Sequence, residues 1–402
     1  LVDDDFRRIL EKNLKSVSLV ENSLLGYLQH KRSGFPRFYF LSDEEIMQAL
    51  ADSMDRNDIQ RHFQKVFDGL IGLQFGASEL DGEAARFIDP YDIIAMLGDN
   101  GQNIGFKKRK FRSRVGLDVK MKSEYAGEQS CYINPKAQNL GIDIWLAQVE
   151  QEMFTTIRET IDFSFRAYSR MPAASWFTRW PVQVVLVVKQ TMFTSSVEKL
   201  VKSKVRLPSC PYQKDLSQDM NETIKLLRSE RNLMQWNILN CVITLQVSHR
   251  DVFEKVISCN VESVTNFNWI SHIRHYYTPP SSIENLKSSL NIALLGVTTA
   301  YGNEYLKSTS RLVLTPLTLK CFRSLSIAAT MNYFGALHGP GGVGKTETVK
   351  DFNRLMGRMC LVINCSNAVT ARLTGRIIKG LAATPVAVCF DDFNRMDMRV
   401  VS

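Results

Sequence analysis

The decapeptide from Gly339 to Thr348 constrains the fold of this chain more than any other feature. It reads Gly-Pro-Gly-Gly-Val-Gly-Lys-Thr-Glu-Thr and fits the spacing G-x-x-x-x-G-K-[ST]. Its glycines let the backbone curl, so that successive N–H groups point into one concavity and can hold phosphate oxygens. Lys345 is expected to reach the β- and γ-phosphates, and Thr346 to offer its hydroxyl to Mg²⁺. The predicted cofactor-binding residues of this loop are Gly339, Pro340, Gly341, Gly342, Val343, Gly344, Lys345 and Thr346.

The flanking sequence has the strand, loop and helix order that such a loop requires. Residues 332–338 are a short, mostly apolar run that predicts a buried strand. Thr346 to Met359 carries apolar residues at helical spacing, which predicts a helix. The positive end of that helix would favour an anion at the loop. This context disfavours the alternative, a glycine-rich turn without a ligand.

A second apolar segment ends in a pair of acidic residues. Cys360 to Asn364 is one candidate strand, and residues 385–392 are an apolar run that closes on Asp391 and Asp392. Buried parallel strands deliver such carboxylates at one edge of a sheet, beside the phosphate loop. Asp391 is predicted to hold the Mg²⁺ shell, and Asp392 to stand where a water-activating carboxylate is needed. The loop and the acids together predict the binding of ATP or another nucleoside triphosphate.

The residues before this nucleotide half are predicted to be largely helical. Helical periodicity covers residues 1–30, the stretch that follows Ser42, and residues 142–168 and 223–239. Residues 35–41 predict a short strand, residues 74–140 suit short strands and turns, and residues 182–188 and 242–245 fit either a strand or a buried helix. In the nucleotide half, residues 374–381 predict a short helix with Ile377 and Ile378 facing inward.

Charge and cysteine usage exclude several classes of site. The net charge of +9 fits any acidic partner, and the basic run from Lys107 to Arg114 is better interpreted as a solvated loop than as a phosphate contact. Eight scattered cysteines without a C-x-x-C pair favour a reducing compartment and no zinc site. His272 and His275 have helical spacing, but no third ligand is near, so surface or hydrogen-bonded histidines are predicted. No apolar stretch reaches the length of a membrane span.

Several motifs resemble those of dynein heavy chains. Resemblance to the first AAA+ module lies in Gly339 to Thr348, Asn364 to Ser366, Gly375 to Leu381 and Cys389 to Arg395, with Tyr301 to Leu306 and Arg311 to Thr318 upstream. Resemblance to the linker lies in Phe35 to Ser42, Trp180 to Gln183 and Phe267 to Ile270. The resemblance implies a mixed fold with two parts. Residues 1–296 would be a mainly α-helical linker, and residues 297–402 the N-terminal part of an AAA+ module. That part would be an incomplete α/β P-loop domain with a parallel sheet, without its later strands.

The resemblance also implies a function. The chain would be the ATP-binding part of a minus-end-directed microtubule motor, in which the nucleotide state of the first module moves the linker. ATP and Mg²⁺ are the implied cofactors, and Val313 and Pro316 are expected to line the adenine pocket. The implied partners are microtubules, through domains beyond Ser402, and dynein intermediate and light chains; neither a membrane nor nucleic acid is expected. The implied location is the cytoplasm and cytoskeleton, with the ciliary axoneme favoured because most family members are ciliary.

One departure from the family weakens the prediction of hydrolysis. The family has Asp-Glu where this chain has Asp391 and Asp392, and aspartate is one methylene shorter. Asp392 and Lys345 remain the predicted catalytic residues, but slow hydrolysis is expected. The alternative is a non-motor scaffold or regulatory protein that binds ATP without efficient turnover. The start at Leu1 and the end at Ser402 are interpreted as those of a piece of a longer polypeptide. ATPase activity is therefore expected only in the full-length context.

Overall fold

The fold is mainly helical over its first two thirds and α/β after that, which confirms the predicted fold class. It is seen in a computed structural model, which describes residues 4–52, 59–75, 93–98, 103–105, 141–203, 210–230, 232–280, 288–366 and 369–401. The basic run from Lys107 to Arg114 lies outside the described residues. Among the described residues, no helix combines the length and the apolar character that crossing a membrane requires.

The helices of the first part have the following bounds: α1 Asp4–Gly34, α2 Asp43–Asp52, α3 Phe63–Val66, α4 Ile142–Tyr168, α5 Ala173–Arg179, α6 Val182–Lys202, α7 Tyr212–Ser229, α8 Leu233–Ser258 and α9 Phe267–Ile270. The prediction for residues 142–168 is confirmed by α4. The ambiguous runs 182–188 and 242–245 are both helical: the first forms the largely buried first two turns of α6, and the second lies in the middle of α8. The single helix predicted over 223–239 is wrong, because the chain leaves helical geometry between α7 and α8.

Three small sheets accompany the helices. The first is antiparallel, with order β1 Leu70–Phe75, β2 Ile93–Gly98 and β3 Asn103–Gly105. The second is also antiparallel, with order β4 Arg274–Thr278, β5 Ser289–Leu294 and β6 Val297–Ala300. The third is parallel and pairs β7 Cys360–Asn364 with β8 Ala387–Asp391, residue 360 opposite residue 387.

The nucleotide half adds four helices in the described residues: α10 Pro316–Thr330, α11 Lys345–Leu355, α12 Ala371–Ala383 and α13 Met398–Val401. Helix α10 packs on α11, where the ring centroids of Phe322 and Phe352 are 5.4 Å apart. Both phenylalanines belong to the same hydrophobic core as the buried faces of α4 and α6. The two halves therefore share one core.

The strand predicted for residues 332–338 is wrong. These residues form no strand, and the Phe334 side chain is 90% exposed. A strand needs a neighbour for its N–H and C=O groups. Within the described part of the chain, β7 and β8 pair with each other, and the segment 332–338 pairs with neither.

Two further predictions fail for local reasons. The residues from Phe35 to Leu41 form a 3₁₀ turn over Pro36–Phe40 rather than a strand, because proline at the first position favours a helical turn. In α12, Ile377 is buried but Ile378 is half exposed. Successive helical residues point about 100° apart, so a helix that packs on one side cannot bury both.

Two predictions for the N-terminal part are resolved by α1 and α2. Periodicity over residues 1–30 corresponds to one helix, whose side chains from residue 6 to 24 are exposed. The start predicted at Ser42 is confirmed by a reciprocal pair of hydrogen bonds. The Ser42 N–H donates to Glu45 Oε2 at 2.9 Å, and the Glu45 N–H donates to Ser42 Oγ at 3.1 Å.

Candidate nucleotide-binding site

The glycine-rich loop adopts a backbone that only glycine accepts without strain. Gly342 and Gly344 have φ of 77° and 83°, in the left-handed region. A Cβ atom placed on Gly341, Gly342 or Gly344 would meet nothing within 4 Å. The glycines are thus required by the turn itself, and they leave the face of the loop open to a ligand.

Lys345 is the first residue of α11 and folds back over this loop. Its Nζ donates to the carbonyl oxygen of Gly339 at 3.0 Å and to that of Pro340 at 2.7 Å. These contacts hold the ammonium group against the loop that precedes the helix. A phosphate at a helix N-terminus would meet both the N–H groups and this cation.

Thr346 and Asp391 lie together, although 45 positions separate them in the sequence. The Thr346 hydroxyl donates to Asp391 Oδ2 at 2.7 Å. Parallel pairing of β7 with β8 places Asp391 at the carboxyl end of its strand, opposite Asn364. One hydroxyl and one carboxylate form an oxygen-only donor set, which is the set that Mg²⁺ prefers. The residues present therefore fit a Mg²⁺ ion.

The electrostatic surroundings of the strand ends also suit a cation. The pKa of the Cys365 thiol is raised, first by burial and then by the carboxylates of Asp391 and Asp392. The Cys365 N–H donates to the Asp391 carbonyl oxygen at 2.9 Å, which fixes the thiol beside them. The part of this shift that comes from the two carboxylates reflects a negative potential at the strand ends, which a divalent cation would neutralise.

Asp392 follows the strand in a left-handed conformation, with φ of 52°. Its Oδ2 lies 3.2 Å from Arg395 Nη2, and both side chains are more than half exposed. Its N–H donates to Asp391 Oδ1 at 3.1 Å. The carboxylate predicted to activate water is thus engaged by a cation one turn further along the chain.

Of the two residues predicted for the adenine pocket, Val313 lies before α10 and Pro316 lies at its start. The Val313 side chain is exposed, and its carbonyl oxygen accepts a hydrogen bond from the Thr315 N–H at 3.0 Å. Thr315 caps α10, and Pro316 is the first residue of that helix. Helix α10 packs on α11, the helix that follows the loop. No hydrogen bond joins Val313 or Pro316 to the loop in the described residues.

A buried ion pair on the loop's own helix was not predicted. Arg311 Nε lies 2.8 Å from Asp351 Oδ1, and the Asp351 side chain is 1% exposed. Asp351 lies four residues before Leu355, on the stripe of α11 that packs inward. A charged residue on an apolar stripe was the available signal, because such residues are seldom buried without a partner.

The prediction that His272 and His275 are exposed or hydrogen-bonded is wrong, and so is their helical spacing. His275 lies on β4 and His272 in the turn before it, so they share no helical face, and both are buried. No ring nitrogen of either has a hydrogen-bond partner among the described residues. Across all the residues that the structure describes, no group of three or more His, Cys, Asp or Glu residues is arranged to hold a metal ion.

Comparisons with known proteins address both halves of the chain. Residues 301–402 match the family described as "Hydrolytic ATP binding site of dynein motor region". Residues 2–164 match the family described as "Dynein heavy chain, N-terminal region 2".

Curated relatives match almost the whole chain. Human "Dynein axonemal heavy chain 1" is 33% identical over 389 residues, which is 96% of this chain and 8% of the relative. Mouse "Dynein axonemal heavy chain 12" is 32% identical over 98% of this chain and 11% of the relative. Human "Dynein axonemal heavy chain 3" is 30% identical over 100% of this chain and 9% of the relative. The chain thus spans about a tenth of the length of these relatives.

Proposed function

This chain belongs to the dynein heavy chain family, and on that premise we propose that its nucleotide half binds ATP with Mg²⁺ at the loop 339–346. The observation that carries the proposal is the 2.7 Å hydrogen bond from the Thr346 hydroxyl to Asp391 Oδ2. It joins the two motifs at one point, beside an open glycine loop and a helix N-terminus.

Each residue has a role that follows from its position. The N–H groups of Gly341 to Thr346 hold phosphate oxygens, and Lys345 exchanges its two carbonyl contacts for the β- and γ-phosphates. Thr346 and Asp391 hold Mg²⁺, which when bound neutralises charge on the phosphates. Val313 and Pro316 contact the adenine ring at the start of α10.

The wider function that we propose is that of a dynein motor. Residues 297–402 are the start of the first AAA+ module, and residues 1–296 are the linker, whose position follows the nucleotide state. The shared hydrophobic core supports such coupling, because a change at α11 is felt by the helices that pack with it. We further propose association with microtubules and with dynein intermediate and light chains. Because its relatives are named axonemal, we place the motor in the ciliary cytoskeleton.

Nucleotide binding is tested by titrating the purified chain with a fluorescent ATP analogue, mant-ATP, with and without Mg²⁺. Lys345→Ala is expected to weaken binding at least about 30-fold, because a charge-assisted contact to phosphate contributes on the order of 2 kcal/mol. Thr346→Ala is expected to remove most of the dependence on Mg²⁺. Thr348→Ala is the matched control, since that hydroxyl donates to the Gly344 carbonyl oxygen and faces no phosphate. Binding that is equal in all four proteins would refute the proposal.

A second candidate function is ATP binding without efficient hydrolysis, and the Asp392–Arg395 ion pair favours it. Asp392 is short for a water-activating residue, and its charge is already engaged by Arg395. Asp392→Glu in a complete motor chain is expected to raise single-turnover hydrolysis, with nucleotide affinity unchanged. An unaltered rate would show that the length of this side chain does not limit hydrolysis.

A further inference from the structure

The 3₁₀ turn Pro36–Phe40 touches the nucleotide half on two sides. A Cβ on Gly380 of α12 would lie 2.9 Å from Tyr39 Cβ and from Phe40 Cε1, so the helix and the turn are in direct contact. On the inner side, the guanidinium of Arg37 points the other way, and its side chain is 1% exposed. The turn therefore packs against α12 on one side and contacts the buried core through Arg37 on the other.

Arg37 binds two carboxylates that come from different parts of the chain. Its Nε lies 2.6 Å from Glu150 Oε1 on α4, and its Nη1 lies 2.5 Å from Glu304 Oε1. Nη1 also donates to the Val66 carbonyl oxygen at 2.9 Å. Burial lowers the pKa of Arg37, but Glu304 and then Glu150 outweigh it and raise the pKa above its ordinary value. The cation is thus permanently charged, and two carboxylates compensate it.

The two ion pairs differ in what they connect. Arg37 and Glu150 both lie within the matched segment 2–164, whereas Glu304 lies within the segment 301–402 that matches the ATP-site family. The pair with Glu150 therefore stays inside the helical region. The pair with Glu304 crosses from the helical region to the nucleotide half.

Glu304 is itself fastened to the far end of the phosphate-loop helix. Its Oε2 accepts a hydrogen bond from the Met359 N–H at 3.0 Å, and its own N–H donates to the Gly357 carbonyl oxygen at 3.1 Å. These residues form the turn between α11 and β7. Helix α11 begins with Lys345 and β7 lies beside the strand of Asp391, so this turn joins the two elements that build the site.

Glu304 belongs to a segment, residues 301–307, that we call the strap. Other residues of the strap are hydrogen-bonded to the helical region. Gln183 Nε2 donates to the Tyr301 hydroxyl and to the Glu304 carbonyl oxygen, both at 2.7 Å, and its Oε1 accepts from the Leu306 N–H at 3.1 Å. The Lys307 N–H donates to Asp68 Oδ2 at 2.9 Å. A shift of the turn after α11 would therefore displace the strap, and with it the hydrogen bonds to Gln183 on α6 and to Asp68 before β1.

We propose that Arg37 is a positioning residue, whose ion pair with Glu304 makes the helical region respond to nucleotide at the phosphate loop. The inference rests on the proposed binding of ATP, and it assigns most of the coupling to one contact. Breaking this pair leaves the phosphate-contacting groups in place but separates the stability of the helical region from the state of the site.

The placement of tryptophan makes the inference testable. All five tryptophans (Trp145, Trp176, Trp180, Trp236 and Trp269) lie in the helical region. Their fluorescence reports on unfolding of the helical region, whereas mant-ATP reports on the site. In the unaltered chain, Mg·ATP at about 100 times its Kd is expected to raise the tryptophan-detected midpoint of thermal unfolding by roughly 3 °C.

Two variants of equal chemistry separate coupling from stability. Glu304→Gln is expected to bind mant-ATP within about twofold of the unaltered chain but to lose most of the nucleotide-induced shift. Glu150→Gln removes the other carboxylate from the same guanidinium. It is expected to lower the midpoint without nucleotide and to keep the shift. A full shift in Glu304→Gln, or an equal loss in Glu150→Gln, would overturn the inference.

Two further measurements keep the outcomes distinct. If Glu304→Gln does not fold, as judged by far-ultraviolet circular dichroism, Arg37→Lys replaces it, because an ammonium group lacks the fork that reaches both carboxylates. Loss of the shift in that variant supports the inference, and retention overturns it. If the unaltered chain does not bind mant-ATP, the proposed function itself is refuted. The comparison of Glu304→Gln with Glu150→Gln tests only the inference about coupling.

Discussion

Acid is expected to destabilise the helical region, because its core contains histidines held in the neutral form. His249 and His275 are fully buried, and burial lowers the pKa of each to about 3. Lys189 and His275 lower the pKa of His249 further, and Arg311 does the same for His275. Protonation would place a cation beside other cations.

The contacts of these histidines leave no acceptor for an additional proton. The ring of His249 stacks on Phe193, with centroids 4.0 Å apart, and its Nε2 lies 2.9 Å from Gln190 Oε1. Gln190 Nε2 donates to the Ile273 carbonyl oxygen, so its Oε1 is the acceptor and His249 Nε2 is the donor. Neither ring nitrogen of His275 has a hydrogen-bond partner in the described residues.

The size of this destabilisation follows from the difference between the pKa of each histidine in the folded and in the unfolded chain. An unfolded histidine has a pKa of about 6.5, so on acidification the unfolded chain binds the proton first. The stabilisation is complete above that pH and is lost as the pH falls toward the folded value of about 3. Between these two pKa values, each histidine lowers the free energy of unfolding by about 1.4 kcal/mol per pH unit, or by about 2 kcal/mol at pH 5. Two such histidines cost about 4 kcal/mol, a large share of the 5–15 kcal/mol typical of a domain.

Urea unfolding between pH 4.5 and 7.5, followed by tryptophan fluorescence, measures this loss. His249→Gln keeps a donor toward Gln190 but cannot be protonated, so the free energy of unfolding should vary less steeply, by about 1.4 kcal/mol per pH unit. His30→Gln, at an exposed position on α1, is the control and should leave the slope unchanged. Equal slopes for the unaltered chain and His249→Gln between pH 5 and 6 would refute the reasoning.

Four substitutions test the packing and one helix cap. Gly302→Ala should destabilise the chain by about 1–3 kcal/mol, because its Cβ would meet the Gly357 carbonyl oxygen, a backbone atom that cannot easily move; an unchanged melting temperature would contradict that contact. Ser42→Ala should cost about 1 kcal/mol in urea unfolding through loss of the helix cap, and no loss would show that the cap is not formed in solution. Ile377→Ala should cost about 2–5 kcal/mol and Ile378→Ala much less, so equal losses by calorimetry would show that α12 packs differently.

The sequence predicts the phosphate loop well because local chemistry determines it. Glycines at fixed spacing can form only a few turns, and the structure has φ above 70° at Gly342 and Gly344. The proximity of Thr346 and Asp391 was also predictable, since parallel strands bring their carboxyl ends to one edge of a sheet. The roles of these residues toward a ligand stay predictions.

Other features could not be read from local patterns. The run 332–338 has the composition of a strand, but a strand forms only where a neighbour accepts its hydrogen bonds. The ion pair of Arg37 with Glu304 joins residues 267 positions apart, and neither residue stands out among the other charges of the chain. The spacing of His272 and His275 fits one face of a helix, but the tertiary structure shows a turn followed by β4.

The long helix α1 has a geometric consequence. It is packed only near its end, where Leu28 is buried and Arg32 Nη2 lies 2.6 Å from Asp43 Oδ1. The same carboxylate oxygen lies 3.4 Å from Arg376 Nη1 on α12, so the root of α1 is tied to the nucleotide half. From Leu28 back to Asp4 the helix extends about 36 Å. A tilt of about 10° at the root would move Asp4 by about 6 Å, so a small change at the Asp43 carboxylate becomes a large displacement at the other end of the helix.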